Sequence, residues 1–142
     1  MPFDLKNNIK VMRSIAPVAV GTTGTGQTGK VIDRAGYESV TFVLNYGSIT
    51  ATNAVLTATI KEGDATGTMT SVADADLIGT ELAASVGATG TRTSGTSKAV
   101  AKTVGYKGVK RYVQALVKST VTAGTLVAAT AVLGNPRNAP TT

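Results

Sequence analysis

The sequence predicts an all-β domain, a jelly-roll-like β-sandwich of about seven to eight mainly antiparallel strands. Three observations lead there. Thr, Ala, Val and Gly supply more than half of the 142 residues, and Thr and Val favour a pleated surface while Gly favours turns. Apolar residues recur with period two, the spacing that places them on one sheet face. Gly/Thr/Ser turn signals interrupt the chain at short intervals. Charged residues are only 15% and aromatics 4%, which speaks against a helical bundle or coiled coil. The length suits a single domain, taken as residues 1–142.

In chain order, residues 1–13 read as an N-terminal arm that orders on assembly. Deleting it is expected to leave the melting of the isolated fold little changed. The first strand spans Ile9 to Val20, and Pro17 marks an edge or a bend. Residues 21–29 (GTTGTGQTG) read as a polar loop. The clearest strand is Ser39 to Tyr46, with Val40, Phe42, Leu44 and Tyr46 on one face and Thr41, Val43 and Asn45 on the other. Ala54 to Glu62 follows, with Leu56, Ala58 and Ile60 on one face. The intervening loop length suggests that these two strands pair antiparallel. The stretch ADADLIGTELAASV fits a short strand or one helical turn, and GATGTRTSGTS a low-complexity loop. Lys98–Val104, Lys110–Lys118 and Thr125–Leu133 again alternate. GYKG and TVTAGT read as hairpin turns between them. The tail from about 134 to 142, with its two prolines, should leave the sheet.

The composition restricts chemistry. There is no Cys, hence no disulfide, thiol nucleophile or thiolate site, and no His, the commonest general base and zinc ligand. Gly24, Gly29 and Lys30 match the phosphate-loop spacing. Val31 stands where Ser or Thr would hold magnesium, and no helix is expected to follow. Gly24, Gly26 and Gly29 match the dinucleotide glycines, but no acid lies at the required distance. Asp74 and Asp76 read as a solvated turn or as salt-bridge partners, not as a full calcium loop. No catalytic, cofactor-binding or metal-binding residue is assigned. No cofactor is expected, and the chain is read as a non-enzyme. No apolar run approaches the roughly 20 residues of a membrane helix, and the N-terminus does not read as a signal peptide. No membrane partner is expected.

Charge is unevenly placed. All eight acids lie between Asp4 and Glu81, so residues 1–81 sum to −2 and residues 82–142, with eight bases and no acid, to +8. This suggests contact with an anionic partner or with an acidic half. Lys107, Lys110, Arg111, Arg137 and Arg13 are the candidate interface residues. KGVKRY is also the best nucleic-acid candidate. Arg111 and Tyr112 should point to opposite faces of a strand, so a combined platform, and with it direct nucleic-acid contact, is not expected.

The blocks DRAGYESVTFVLNYGSIT, ADADLIGT, VGYKGVKRYVQALV and AVLGNPRNAP, in that order across residues 31–140, resemble the capsid cement (decoration) proteins of tailed, in particular short-tailed, phages. The resemblance implies a jelly-roll subunit and a homodimer on the outer capsid surface of the virion. It implies the major capsid protein as partner and a role in bridging neighbouring capsid subunits, and it brings no catalytic residue. Three other readings stay open: a head–tail connector or tail component, a basic nucleic-acid-binding β module, and a carbohydrate-binding sandwich, which the lack of Trp disfavours.

Overall fold

Alternation decides the central strand. In Tyr37–Tyr46, Val40, Phe42, Leu44 and Tyr46 are buried, while Thr41 and Val43 are only half-buried and Asn45 is exposed. A computed structural model describes residues 4–20, 27–47, 55–81, 83–85, 100–119 and 126–138. Within them the chain forms ten strands. Six are long: β1 (Lys10–Ala19), β4 (Tyr37–Tyr46), β5 (Leu56–Gly63), β8 (Val100–Tyr106), β9 (Tyr112–Ser119) and β10 (Leu126–Pro136). Four have two residues each: β2 (Gln27–Thr28), β3 (Ile32–Asp33), β6 (Thr70–Ser71) and β7 (Leu77–Ile78). All pairings are antiparallel. The first sheet, A, has the order β1-β10-β4-β8-β7, and the second, B, has β2-β9-β5-β6 with β3 also on β9. The fold is a jelly-roll-like β-sandwich.

The core is the space between the two inner faces. Sheet A contributes Val40, Phe42, Leu44, Val104, Tyr106, Val127, Ala129 and Leu133, and sheet B contributes Leu56, Ile60, Val113 and Val117, each at most 2% exposed. Two phenols use the core for their rings and bond their hydroxyls at its rim, the arrangement a buried Tyr requires. Tyr46 Oη donates to the Ala84 carbonyl at 2.8 Å, and burial pushes its ionisation well above the ordinary phenol range.

Connectivity departs from the sequence reading in one systematic way. Ser39–Tyr46 and Ala54–Glu62 do not pair: β4 lies between β10 and β8, whereas β5 lies between β9 and β6 in the other sheet. GYKG is likewise not a hairpin turn, because β8 belongs to sheet A and β9 to sheet B; TVTAGT lies outside the described residues, and the strands on either side of it, β9 and β10, do not pair. A loop of a given length can turn back within a sheet or cross to the facing one, and both outcomes bury the same alternate residues. The stretch after Ala73 becomes both structures considered for it, a 3₁₀ turn at Asp74–Asp76 followed by β7. The low-complexity loop 87–97 and most of 21–29 lie outside the described residues.

The arm and tail are shorter than expected. Lys10–Arg13 pair with Leu133–Thr130 on the edge of sheet A, and Met12 packs against the core. At the other end, Gly134 pairs with Ser39 and Pro136 with Tyr37, so β10 persists through the first proline. Deleting residues 2–13 should therefore lower the melting temperature, because it removes four of the ten residues of an edge strand. A scan of the truncated chain that matches the full one would contradict this. Register shifts between Arg13 and Val18 fit the bend expected around Pro17 on an edge strand.

The two sheets are stitched at Gly29. Its N–H donates to the Ala115 carbonyl at 2.8 Å, the next N–H, of Lys30, donates to Ser14 O at 2.8 Å, and Gln114 Nε2 donates to Gly29 O at 2.7 Å. A Cβ there would sit 2.5 Å from Ser14 Oγ and 2.6 Å from Ala115 O. Gly29→Ala is expected to cost about 1–3 kcal/mol. Ser14 Oγ itself is buried without a hydrogen-bond partner among the described residues, so Ser14→Ala should be neutral or mildly stabilising. Urea midpoints of the two variants check both expectations.

Candidate functional site

Four of the five residues singled out in the sequence meet at one end of the sandwich. The β8–β9 crossing carries Lys107, Lys110 and Arg111, and Arg137 follows β10 beside the β3–β4 turn, its N–H donating to Gly36 O at 2.8 Å. Gly36 holds φ +89°, a conformation glycine adopts without strain. Arg13 stands elsewhere. It pairs with Thr130 on the outer face of sheet A, at a groove of about 400 Å³ shared with Met12, Lys30, Val31 and Ile32.

The cations at this end are tied to acids of the first half of the chain. Arg111 grips Asp33 with two bonds, Nε to Oδ1 at 3.0 Å and Nη2 to Oδ2 at 2.8 Å. Arg137 Nε donates to Glu38 Oε1 at 2.6 Å, and Lys110 Nζ to Asp64 Oδ2 at 2.6 Å. The charge asymmetry between the halves is thus partly closed within one molecule. Arg111 does not oppose Tyr112. It sits in the bend before β9, and its guanidinium lies over the Tyr112 ring, 5.1 Å from the centroid. The expectation of opposite faces fails because strand alternation begins only at Tyr112.

Arg34 was not singled out, yet it organises the loop. Its Nε donates to Lys110 O at 2.5 Å and its Nη2 to Gly108 O at 2.7 Å, with Nη1 at 3.4 Å from the carbonyls of Tyr37 and Glu38. Its guanidinium covers the Tyr106 ring at 5.4 Å. Tyr106 completes the clasp. Its hydroxyl donates to Glu62 Oε2 at 2.5 Å and accepts from the Lys110 N–H at 3.0 Å. Burial, reinforced by the Glu62 carboxylate, pushes its ionisation up to about 12. The clasp holds Val109 out into solvent at 88% exposure. Arg34, Arg111 and Arg137, with Tyr37 and Val109, line a cleft of about 300 Å³.

The hydrogen bonds from Arg111 and Arg137 hold the Asp33 and Glu38 carboxyls below their ordinary values. A carboxyl lowered in the folded state stabilises fully above its unfolded value, about 4, and loses that contribution as pH falls through the folded value. Melting is therefore expected to hold steady from pH 7 to 5 and to decline below about 4. The decline should shrink in Asp33→Asn and in 1 M salt. These pairs are largely exposed, so the effect is small.

The second feature is the outer face of sheet A. Val11, Val132, Thr41, Gly105 and Ile78 form one row across all five strands, and Arg13, Thr130, Val43 and Thr103 form the next. Ala128, Asn45 and Ala101 form a third. Across these twelve positions Arg13 is the one charge. The outer face of sheet B carries Asp33, Lys61 and Lys118. Chemistry is sparse elsewhere. Lys30 is followed by β3 and not by a helix. Among the described residues no three His, Cys, Asp or Glu side chains gather as a metal site, and no helix is long and apolar enough to cross a membrane.

Comparison with known protein families and with curated protein sequences finds no match. Among solved structures, the chain is similar to a xylan-binding module, CBM15, at 13% identity over 97% of both chains, with a TM-score of 0.50. It is also similar to the CBM22-1 xylan-binding domain of Xyn10C from Paenibacillus barcinonensis (13% identity, 89% of this chain and 82% of that one, TM-score 0.45). A pilus-forming protein of Bacillus endospore appendages matches at 14% identity over 96% of both chains, with a TM-score of 0.42. At such identities the likeness is one of fold alone.

Proposed function

We propose that the chain is a non-enzymatic structural component of a virion. It lies as a homodimer on the outer surface of a phage capsid and cements neighbouring major capsid protein subunits. The observation that carries this reading is the outer face of sheet A, five strands wide at its broadest row and built of Val, Thr, Ala, Gly, Ile78 and Asn45 with the single charge of Arg13. A sheet face left to water ordinarily carries charged side chains that block edge and face association. At about 4.8 Å between strands and about 6.8 Å between same-face residues, the twelve positions cover on the order of 400 Å². That is about half of the roughly 800 Å² per partner of a stable interface, and flanking loops would supply the remainder. Covering it desolvates almost no charge. Many modest contacts across a lattice then add through avidity.

The test is co-sedimentation of the purified chain with expanded shells of the major capsid protein, at low and high salt. Saturable binding near one copy per capsid subunit that survives high salt supports cementing. Absence of binding overturns it. A dozen or fewer copies per virion would indicate a connector, and affinity for DNA that falls steeply with salt would indicate a nucleic-acid module. A carbohydrate-binding reading has the fold likeness behind it but lacks a platform among the described residues. Phe42, Tyr46 and Tyr106 are buried, and Tyr37 and Tyr112 are half-buried.

A further inference from the structure

We infer that the cleft between the β3–β4 turn and the β8–β9 crossing is a binding site for a carboxylate side chain on an acidic loop of a protein partner. This site is separate from the outer face of sheet A and does not depend on the cementing proposal. Every charged side chain lining it is a guanidinium: Arg34, Arg111 and Arg137. Asp33 and Glu38 hold two of these from outside the lining, and their pairs leave donors unspent. Arg111 Nη1 and both terminal nitrogens of Arg137 are not engaged by those acids. Arg34 spends its donors on neutral carbonyls, and among the described residues no carboxylate hydrogen-bonds it, its charge being felt only at longer range by Glu38.

The remaining lining, Ala35, Gly36, Tyr37 and Val109, is apolar or aromatic. An anionic head on a short aliphatic stem matches both parts, and a guanidinium fork binds a carboxylate in two-point fashion. The volume, about 300 Å³, lies at the lower end of the range for small-molecule pockets, about 300–1,000 Å³. It admits one side chain and not a large cofactor. The flanking Asp33, Glu38 and Asp64 would repel a continuous phosphodiester backbone, whereas a single carboxylate can avoid them. The walls are already ordered by the Arg34 clasp, so binding incurs little ordering cost.

The experiment is a titration of the ¹⁵N-labelled full chain with acetyl-Glu-Gly-Glu-amide, with the matching Gln peptide as control. The expected result is saturable shifts of the Gly36 and Val109 amides with the Glu peptide and none with the Gln peptide. Arg137→Gln, which removes only an exposed pair, should weaken binding at least fivefold with melting little changed. Val109→Asp should abolish it. Equal responses to the two peptides, non-saturating shifts, or unaltered affinity in both variants would overturn the proposal. So would displacement of the peptide by oligothymidylate with steep salt dependence, which would assign the cleft to nucleic acid instead.

Discussion

Arg34→Met should lower the stability of the domain by about 3 kcal/mol, since two charge-assisted hydrogen bonds are lost at roughly 1.5–3 kcal/mol each and such terms do not add fully. The bonds to Gly108 O and Lys110 O fasten the β8–β9 crossing, and with it the passage from sheet A to sheet B. Methionine fills much of the space along the stem but leaves both half-buried carbonyls without a donor. It also uncovers the Tyr106 ring. For a domain of this size such a loss corresponds to a fall of roughly 6–12 °C in melting temperature. Arg34→Lys keeps the charge but offers a point donor in place of a fork, and should recover less than half of the loss. Amide exchange locates the effect: protection should fall first at Lys107 and Lys110, whose N–H groups bond Asp76 O and Tyr106 Oη. If Arg34→Met melts like the parent chain, the clasp is not what holds the crossing.

Nothing in the sequence marks Arg34. It is one arginine in a D-R-A-G turn, and its two shortest hydrogen bonds run to backbone carbonyls more than 70 positions away. The same distance hid the ion pairs, which join residues 78 and 99 apart for Arg111 and Arg137. The separation of acids and bases along the chain was plain, but whether they meet within one molecule is set by topology. Strand content was legible for a local reason. Burial of one face of a strand imposes a period-two pattern, and Val40, Phe42, Leu44 and Tyr46 carry it without regard to neighbours. Pairing was not legible, because Leu56, Ala58 and Ile60 look the same whether β5 lies beside β4 or opposite it. The two-residue strands β2, β3, β6 and β7 are too short for any period and exist because long neighbours offer them an edge. The outer face of sheet A follows the same logic. Thr41, Val43, Thr103 and Thr130 read as ordinary alternating positions in three separate strands, and only the register aligns them into one nearly uncharged surface.

On the proposed cementing role, Val43→Asp should abolish attachment to the capsid shell while leaving the isolated fold close to its original stability. Val43 is half-buried on the outer face, flanked across the ladder by Thr130 and Thr103. In the free protein the aspartate stays hydrated, and the expected cost is about 1 kcal/mol or less from lost β propensity. Against a shell the same carboxylate is stripped of water with no cation opposite it except Arg13, two strands away. An unpaired buried charge costs about 3–5 kcal/mol. At about 1.4 kcal/mol per tenfold, that is a loss of at least 100-fold per contact, and avidity multiplies it across the lattice. Val43→Thr matches the Thr-rich face and should lose less than tenfold. Thr57→Asp places the same charge on the outer face of sheet B, beside Lys118, and should bind as the parent chain does. Sedimentation with shells separates the three variants. If Thr57→Asp releases the protein and Val43→Asp does not, the contact surface is sheet B, and the uncharged face of sheet A needs another occupant.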